Sequence, residues 1–377
     1  MQDHGHAGRR DRLAGTDDDC PSGGETLMAA RTSIGRLIAI NLGLLLAGLF
    51  LAELVFGSWI FGPSWGTMNI PRDIHRMFDV SGLYNGPRDA IYSRDKWGLR
   101  GAYRDLGAID ILTIGGSTTD QRFIGDGQTW QDYLAQDLGG RVVVNAGIDG
   151  QSTLGHLRAF DRWLSQIPGL KPCFVLAYIG VNDAHLEGQQ QWDDMASPSL
   201  GRRIERYITN HSALVQVVTT IQGTLKARKA HVVHGGTEFA RGPWVAGPPP
   251  DLDKVVASAL LDAYEQRVEA LIARIRAAGA EAIIVTQSRS DYRVTGTGEP
   301  LGRAKAANSV DFGSWAMQTA FNRRAMAACT RANAVCLDLG SGLTFEDGDF
   351  YDWVHTTPTG NRRIAAWLAP LLAPLLQ

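Results

Sequence analysis

Four short segments of the chain carry residue types that together can do acyl-transfer chemistry. Ser117 lies in Gly115-Gly116-Ser117-Thr118-Thr119, directly after the apolar run Ile109–Ile114. Two glycines let the backbone turn sharply and present the serine at the start of a helix. Unpaired N–H groups and the positive end of the peptide dipole favour an oxyanion there. A serine hydroxyl is a weak nucleophile at neutral pH and needs an adjacent base. His355, in Asp352-Trp353-Val354-His355, is the candidate base, and Asp352 is the candidate acid that orients its ring. Gly150, in Asn145-Ala146-Gly147-Ile148-Asp149-Gly150-Gln151-Ser152, and Asn182, in Gly180-Val181-Asn182-Asp183, join the Ser117 N–H as candidate oxyanion donors. Each piece alone has a plainer reading: a turn glycine, a helix N-cap, a surface loop pair. Together, and in this order, they supply a nucleophile, three oxyanion donors, a base and an orienting acid.

These residues need a scaffold that brings distant loops together. The apolar runs Ile109–Ile114, Arg141–Asn145, Cys173–Ile179, Ala282–Thr286 and Ala334–Leu339 lack polar alternation, as expected of strands buried on both faces. Helix-like stretches lie between them at Trp130–Leu138, Leu154–Gln166 and Leu260–Ala278, the last with Gly279 as its stop. Alternation of this kind reads as α/β, a three-layer α/β/α arrangement of about five parallel strands. Such open sheets place their sites at the carboxyl ends of strands, where all four segments fall. Residues 186–255 are too long for an ordinary connection and read as an inserted cap or binding element, with an amphipathic segment at Ala213–Leu225. The Gln189–Gln191 run and the His231/His234 pair inside it read as solvated side chains. The absence of G-x-x-x-x-G-K-[ST] and G-x-G-x-x-G removes the main nucleotide readings, and the absence of G-x-S-x-G argues against an α/β-hydrolase elbow.

The four segments resemble, in order from residue 109 to about 365, the sequence blocks of the SGNH/GDSL hydrolase family. The resemblance implies a flavodoxin-like fold, Ser117 as nucleophile, Asp352 and His355 as its triad partners, and an oxyanion hole of the Ser117 N–H, Gly150 and Asn182. It also implies a hydrolase of carboxylic esters that needs no metal or organic cofactor. The family name implies Asp before the serine, where this chain has Gly116. Tyr92–Gly101 (YSRDKWGLRG) is similar to a stretch that precedes the first block in membrane-tethered bacterial members.

Composition narrows the setting. The chain has 377 residues, 44% of them hydrophobic and 20% charged, enough to bury a large core. Lys and Arg number 37 against 39 Asp and Glu, which gives no electrostatic reason to expect nucleic acid. From Leu37 to Phe56 only Asn41 and Glu53 are polar, and twenty such residues span about 30 Å of bilayer. Trp59, Phe61 and Trp65 follow as an interfacial belt, while Arg31 and Arg36 precede it and favour a cytoplasmic N-terminus. The expected organisation is a polar N-terminus at 1–36, a transmembrane anchor at 37–57, a membrane-proximal linker at 58–105 and the hydrolase domain at 106–377. The chain is accordingly expected in a bacterial inner membrane with its catalytic domain in the periplasm or outside the cell. An acylated carbohydrate or lipid is the expected substrate, for hydrolysis or for acyl transfer; a non-catalytic binding role is the reading from another class. Cys329 and Cys336 flank a turn and could pair in an oxidising compartment or stay as two buried thiols.

Overall fold

The computed structural model describes residues 23–57, 59, 70–186, 200–215, 217–218, 221–222, 242–247, 250–295, 299–306, 309–310 and 312–377. The chain divides into two units, Met1–Gly57 and Ser58–Gln377. In the first, helix α1 runs over Gly23–Phe56. Its stretch Ile34–Phe56 has 23 residues and leaves its large apolar side chains exposed. At 1.5 Å per residue it is about 35 Å long, enough to cross a bilayer.

The second unit is built on five parallel strands: β3 (Ile111–Gly115), β4 (Val143–Asn145), β5 (Phe174–Tyr178), β7 (Glu281–Val285) and β11 (Val335–Leu337). Their order across the sheet is β11-β7-β5-β3-β4. This is the flavodoxin-like order, in which the chain leaves β3 toward β4 on one side and returns to β5 on the other. The crevice lies where the direction reverses, beyond the carboxyl ends of β3 and β5. Both faces of the sheet are buried, which explains the unbroken apolar runs. Leu112, Ile114, Val175 and Ala177 face α4 (Thr153–Arg162), α6 (Ser258–Ala277) and α7 (Gly313–Arg331). Ile111, Val143, Leu176 and Tyr178 face α3 (Trp130–Asp137) and α8 (Pro358–Leu372). Helix starts are set by local chemistry. Thr129 and Asp132 form a reciprocal capping box at α3, and Thr357 caps α8 ahead of Pro358.

Three features were not legible in the strand pattern. Residues 70–105, read from the sequence as a linker, contain the antiparallel hairpin β1 (Ile74–Asp79) and β2 (Asp89–Arg94) and belong to the second unit. A small antiparallel sheet joins β6 (Trp244–Ala246), from the long insert, to β8 (Tyr292–Val294), β9 (Pro300–Ala306) and β10 (Ser309–Val310). Its last three strands come from a second insertion, after β7. The first insert also holds α5 (Leu200–His211), against which Trp59 packs through Tyr207 and His211. Of the expected Ala213–Leu225 helix, residues 213–215, 217–218 and 221–222 are helical; the Gln run and the His231/His234 pair lie outside the described residues. Cys329 and Cys336 are bonded, with Cα atoms 5.9 Å apart, tying the end of α7 to β11.

Candidate active site

The segment after β3 turns at Gly116 into α2, a single turn over Ser117–Asp120. Ser117 therefore opens a helix, as its sequence context implies, and its N–H has no hydrogen-bond partner among the described residues. A helix of four residues cannot hold itself, because nucleation is unfavourable at that length. Its neighbours hold it instead. Gln287, just past β7, donates to Thr118 Oγ1 at 2.8 Å and accepts from the Val181 N–H at 2.7 Å. Gln121 ends the turn in the left-handed region, at φ 51°, and its side chain reaches Asn361 Oδ1 at 2.5 Å.

Of the oxyanion candidates, Asn182 lies against Gly116, the residue before Ser117. Asn182, half-buried after β5, donates through Nδ2 to the Gln151 carbonyl at 2.8 Å. This ties the loop after β5 to the loop after β4. Gly150, next to Gln151, has φ 77°, a left-handed conformation that glycine adopts without strain. Gly116 is explained by the same geometry. A Cβ at position 116 would lie 2.0 Å from Asn182 Nδ2, so glycine leaves room for the amide where a larger residue would displace it.

Asp183, next to Asn182, does different work. It is buried, accepts from Thr153 N–H at 3.1 Å and Thr153 Oγ1 at 2.5 Å, and pairs with Arg267 at 3.2 Å. Burial pushes its carboxyl up to about 6 despite these partners. It locks the start of α4 to the loop that carries Asn182.

Asp352 and His355 sit in the loop before α8. Asp352 Oδ2 meets His355 Nδ1 at 2.6 Å, while its Oδ1 accepts the backbone N–H of Val354 at 2.9 Å and of His355 at 2.8 Å. Burial pushes the Asp352 carboxyl up, but the His355 hydrogen bond and charge and the two amides outweigh it and hold the group below its ordinary value. Tyr351 lies parallel to the His355 ring, with centroids 5.6 Å apart. His355 and Ser117 line one narrow recess with Thr118, Gln121, Ile124, Tyr351 and Thr356. Ser117 and His355 thus line one recess, His355 is bonded to Asp352, and Asn182 is bonded to the Gly150 loop and lies against Gly116. Among the described residues no group of three or more His, Cys, Asp or Glu is placed to hold a metal ion.

Sequence reading did not pick out Gln121, Gln287 or the buried pair Arg94–Asp120. Gln287 did carry a signal. It is a lone amide just past the apolar strand Ala282–Thr286, at the carboxyl edge where the other site residues fall.

Residues 113–363 match the model of the GDSL-like lipase/acylhydrolase family. No curated protein matches the chain. Among solved structures, the chain is similar to the psychrotrophic esterase EstA from Pseudoalteromonas sp., at 15% identity and TM-score 0.36, over 71% of this chain and 97% of that one. It is also similar to LAE5, an alpha/beta hydrolase enzyme from the metagenome of Lake Arreo, Spain, at 18% identity and TM-score 0.37, over 71% and 95%. A catalytic mutant of Axe2, an acetylxylan esterase from Geobacillus stearothermophilus, matches at 16% identity and TM-score 0.36, over 69% and 92%.

Proposed function

The chain belongs to the GDSL-like lipase/acylhydrolase family, and from that premise we propose that it is a membrane-anchored serine esterase that removes small O-acyl groups from a cell-envelope carbohydrate or lipid. The observation that carries the reading is the Asp352–His355 contact of 2.6 Å beside a recess that His355 shares with Ser117. Ser117 Oγ attacks the ester carbon while His355 Nε2 takes its proton, and Asp352 steadies the imidazolium through Nδ1. The developing oxyanion faces the N–H groups of Ser117 and Gly150 and the Asn182 amide. Collapse of the tetrahedral species expels the alcohol, which receives the proton from His355. Water, deprotonated by the same histidine, then attacks the acyl-serine and releases the carboxylic acid and free Ser117.

Location rests on two supports. The stretch Ile34–Phe56 is long and apolar enough to span a bilayer, and the Cys329–Cys336 bond suits an oxidising compartment such as the periplasm. An envelope substrate follows from that location.

The test uses the full chain in nanodiscs, with p-nitrophenyl acetate, butyrate and octanoate, against Ser117→Ala. We expect acetate to be the best of the three, no turnover by the variant, and covalent labelling of Ser117 by a fluorophosphonate. A folded wild type that neither hydrolyses these esters nor takes the label sinks the esterase reading. Product analysis with an acceptor glycan present separates hydrolysis from acyl transfer.

A further inference from the structure

The hairpin that precedes the sheet and the loop that follows it send two arginines to the turn that carries the candidate nucleophile. Arg94, the last residue of β2, has a fully buried side chain. Its Nε donates to Tyr92 Oη at 2.6 Å and its Nη1 to the Gly98 carbonyl at 2.6 Å. Its Nη2 reaches two further groups, Asp120 Oδ1 at 2.7 Å and the Gly147 carbonyl. Asp120 is the last residue of α2, three after Ser117, and Gly147 stands three before Gly150. One guanidinium therefore holds the turn bearing the nucleophile and the loop bearing an oxyanion donor. Tyr92 Oη closes the figure by donating to the same Asp120 oxygen at 2.8 Å.

Arg100 repeats the device one step on. Its backbone bridges Asn145 at the end of β4, and its guanidinium donates to the carbonyls of Asp120 and Gln121, both at 2.9 Å, and of Ile124 at 2.6 Å. These carbonyls fall at and just past the end of α2, where a one-turn helix leaves its acceptors unpaired. The fit between turn and loop is close: a Cβ on Gly147 would lie 2.5 Å from the Asp120 nitrogen.

We propose that Arg94 is a positioning residue for the reaction, setting the distance between Ser117 and the Gly150 amide, so that the hairpin preceding the sheet completes the active site. A planar guanidinium suits this task because it can serve a carboxylate and a carbonyl at fixed angles, which an ammonium cannot. The inference rests on the esterase reading above.

The experiment compares full-length wild type, Arg94→Lys, the double variant Arg94→Met/Asp120→Leu, and Arg88→Met as a control. Arg88 is an exposed residue of the same hairpin, paired with Asp79. Replacing both members of a buried ion pair by apolar residues of similar size is often tolerated, so the double variant tests positioning without leaving a lone buried charge. Thermal midpoint, kcat and KM for p-nitrophenyl acetate, and the rate of fluorophosphonate labelling at Ser117 are measured for each. The expected result is a folded double variant with KM within twofold of wild type, while kcat and labelling rate fall at least 100-fold. Arg94→Lys should fall between, and Arg88→Met should match wild type. A folded double variant with kcat within threefold of wild type overturns the proposal. If the double variant does not fold, Arg94→Lys decides, and an unchanged kcat there overturns it equally. A wild type that is folded but inert in both assays overturns the esterase reading and this inference with it.

Discussion

At the scale of single residues, Gly116 shows how one missing atom shapes a site. The family name leads one to expect Asp there, yet the space a side chain would need is filled by the Asn182 amide. Gly116→Ala should therefore behave like damage to Asn182 rather than to Ser117: kcat falls while KM changes little. Asn182→Ala should lower kcat by about 10²–10³, the usual effect of losing one oxyanion donor. It also cuts the link to the Gln151 carbonyl, so its effect should overlap that of Gly116→Ala, and the double variant should be little worse than Asn182→Ala alone. Steady-state kinetics on the acetate ester checks both. Asp352→Asn should lower kcat by about 10⁴, because the amide favours the wrong tautomer of His355.

At the scale of elements, the one-turn α2 explains why so many buried polar side chains gather near it. Gln121, Gln287, Arg94 and Arg100 do for α2 what intrahelical bonds do for a longer helix. The disulfide acts elsewhere, at the junction of α7 and β11. It closes a short loop, Cys329 and Cys336 being separated by 7 positions. The chain-entropy relation assigns a loop of that size about 2–3 kcal/mol. Cys329→Ala/Cys336→Ala should lower the thermal midpoint by several degrees without altering KM, since neither cysteine lines the recess with Ser117. A reducing agent should give the same shift in wild type and none in the variant.

At the scale of the whole molecule, two buried groups bend the pH dependence of stability in opposite directions. Burial holds His156 down at about 3 from an ordinary value of 6.5. Its contribution is present above pH 6.5 and is lost as pH falls toward 3, because the unfolded chain takes up a proton that the folded one refuses. Asp183, pushed up to about 6, contributes most below its ordinary 3.8 and loses that contribution as pH rises through about 6. Each slope is at most about 1.4 kcal/mol per pH unit. Denaturant titrations at pH 4, 5, 6 and 7 should show His156→Gln gaining on wild type as pH falls. Asp183→Asn should move the other way. For the anchor, alkaline carbonate should leave the chain in the membrane pellet, and deletion of residues 34–56 should release it.

The sequence by itself determined the sheet and the order of the segments that carry the candidate residues. Its five strands needed no partner information to be read, because a strand buried on both faces is apolar nearly throughout, and the observed strands fall within two residues of those runs at every end. Ser117, Asn182, Asp352 and His355 stand out in the sequence as candidates because each stands just past such a run or just before a helix, where backbone geometry exposes side chains. Tertiary structure alone decided what supports them. Arg94 and Tyr92 lie 26 and 28 positions from Asp120 along the chain, and nothing local shows that their polar groups are buried against its carboxylate. The small sheet stayed hidden for a related reason: β6 has only three residues and β9 is broken up by Gly302, Arg303 and Lys305, so neither carries an apolar run, and they exist by pairing with each other across a long stretch of chain. Burial leaves its mark on composition, whereas pairing between distant polar groups does not.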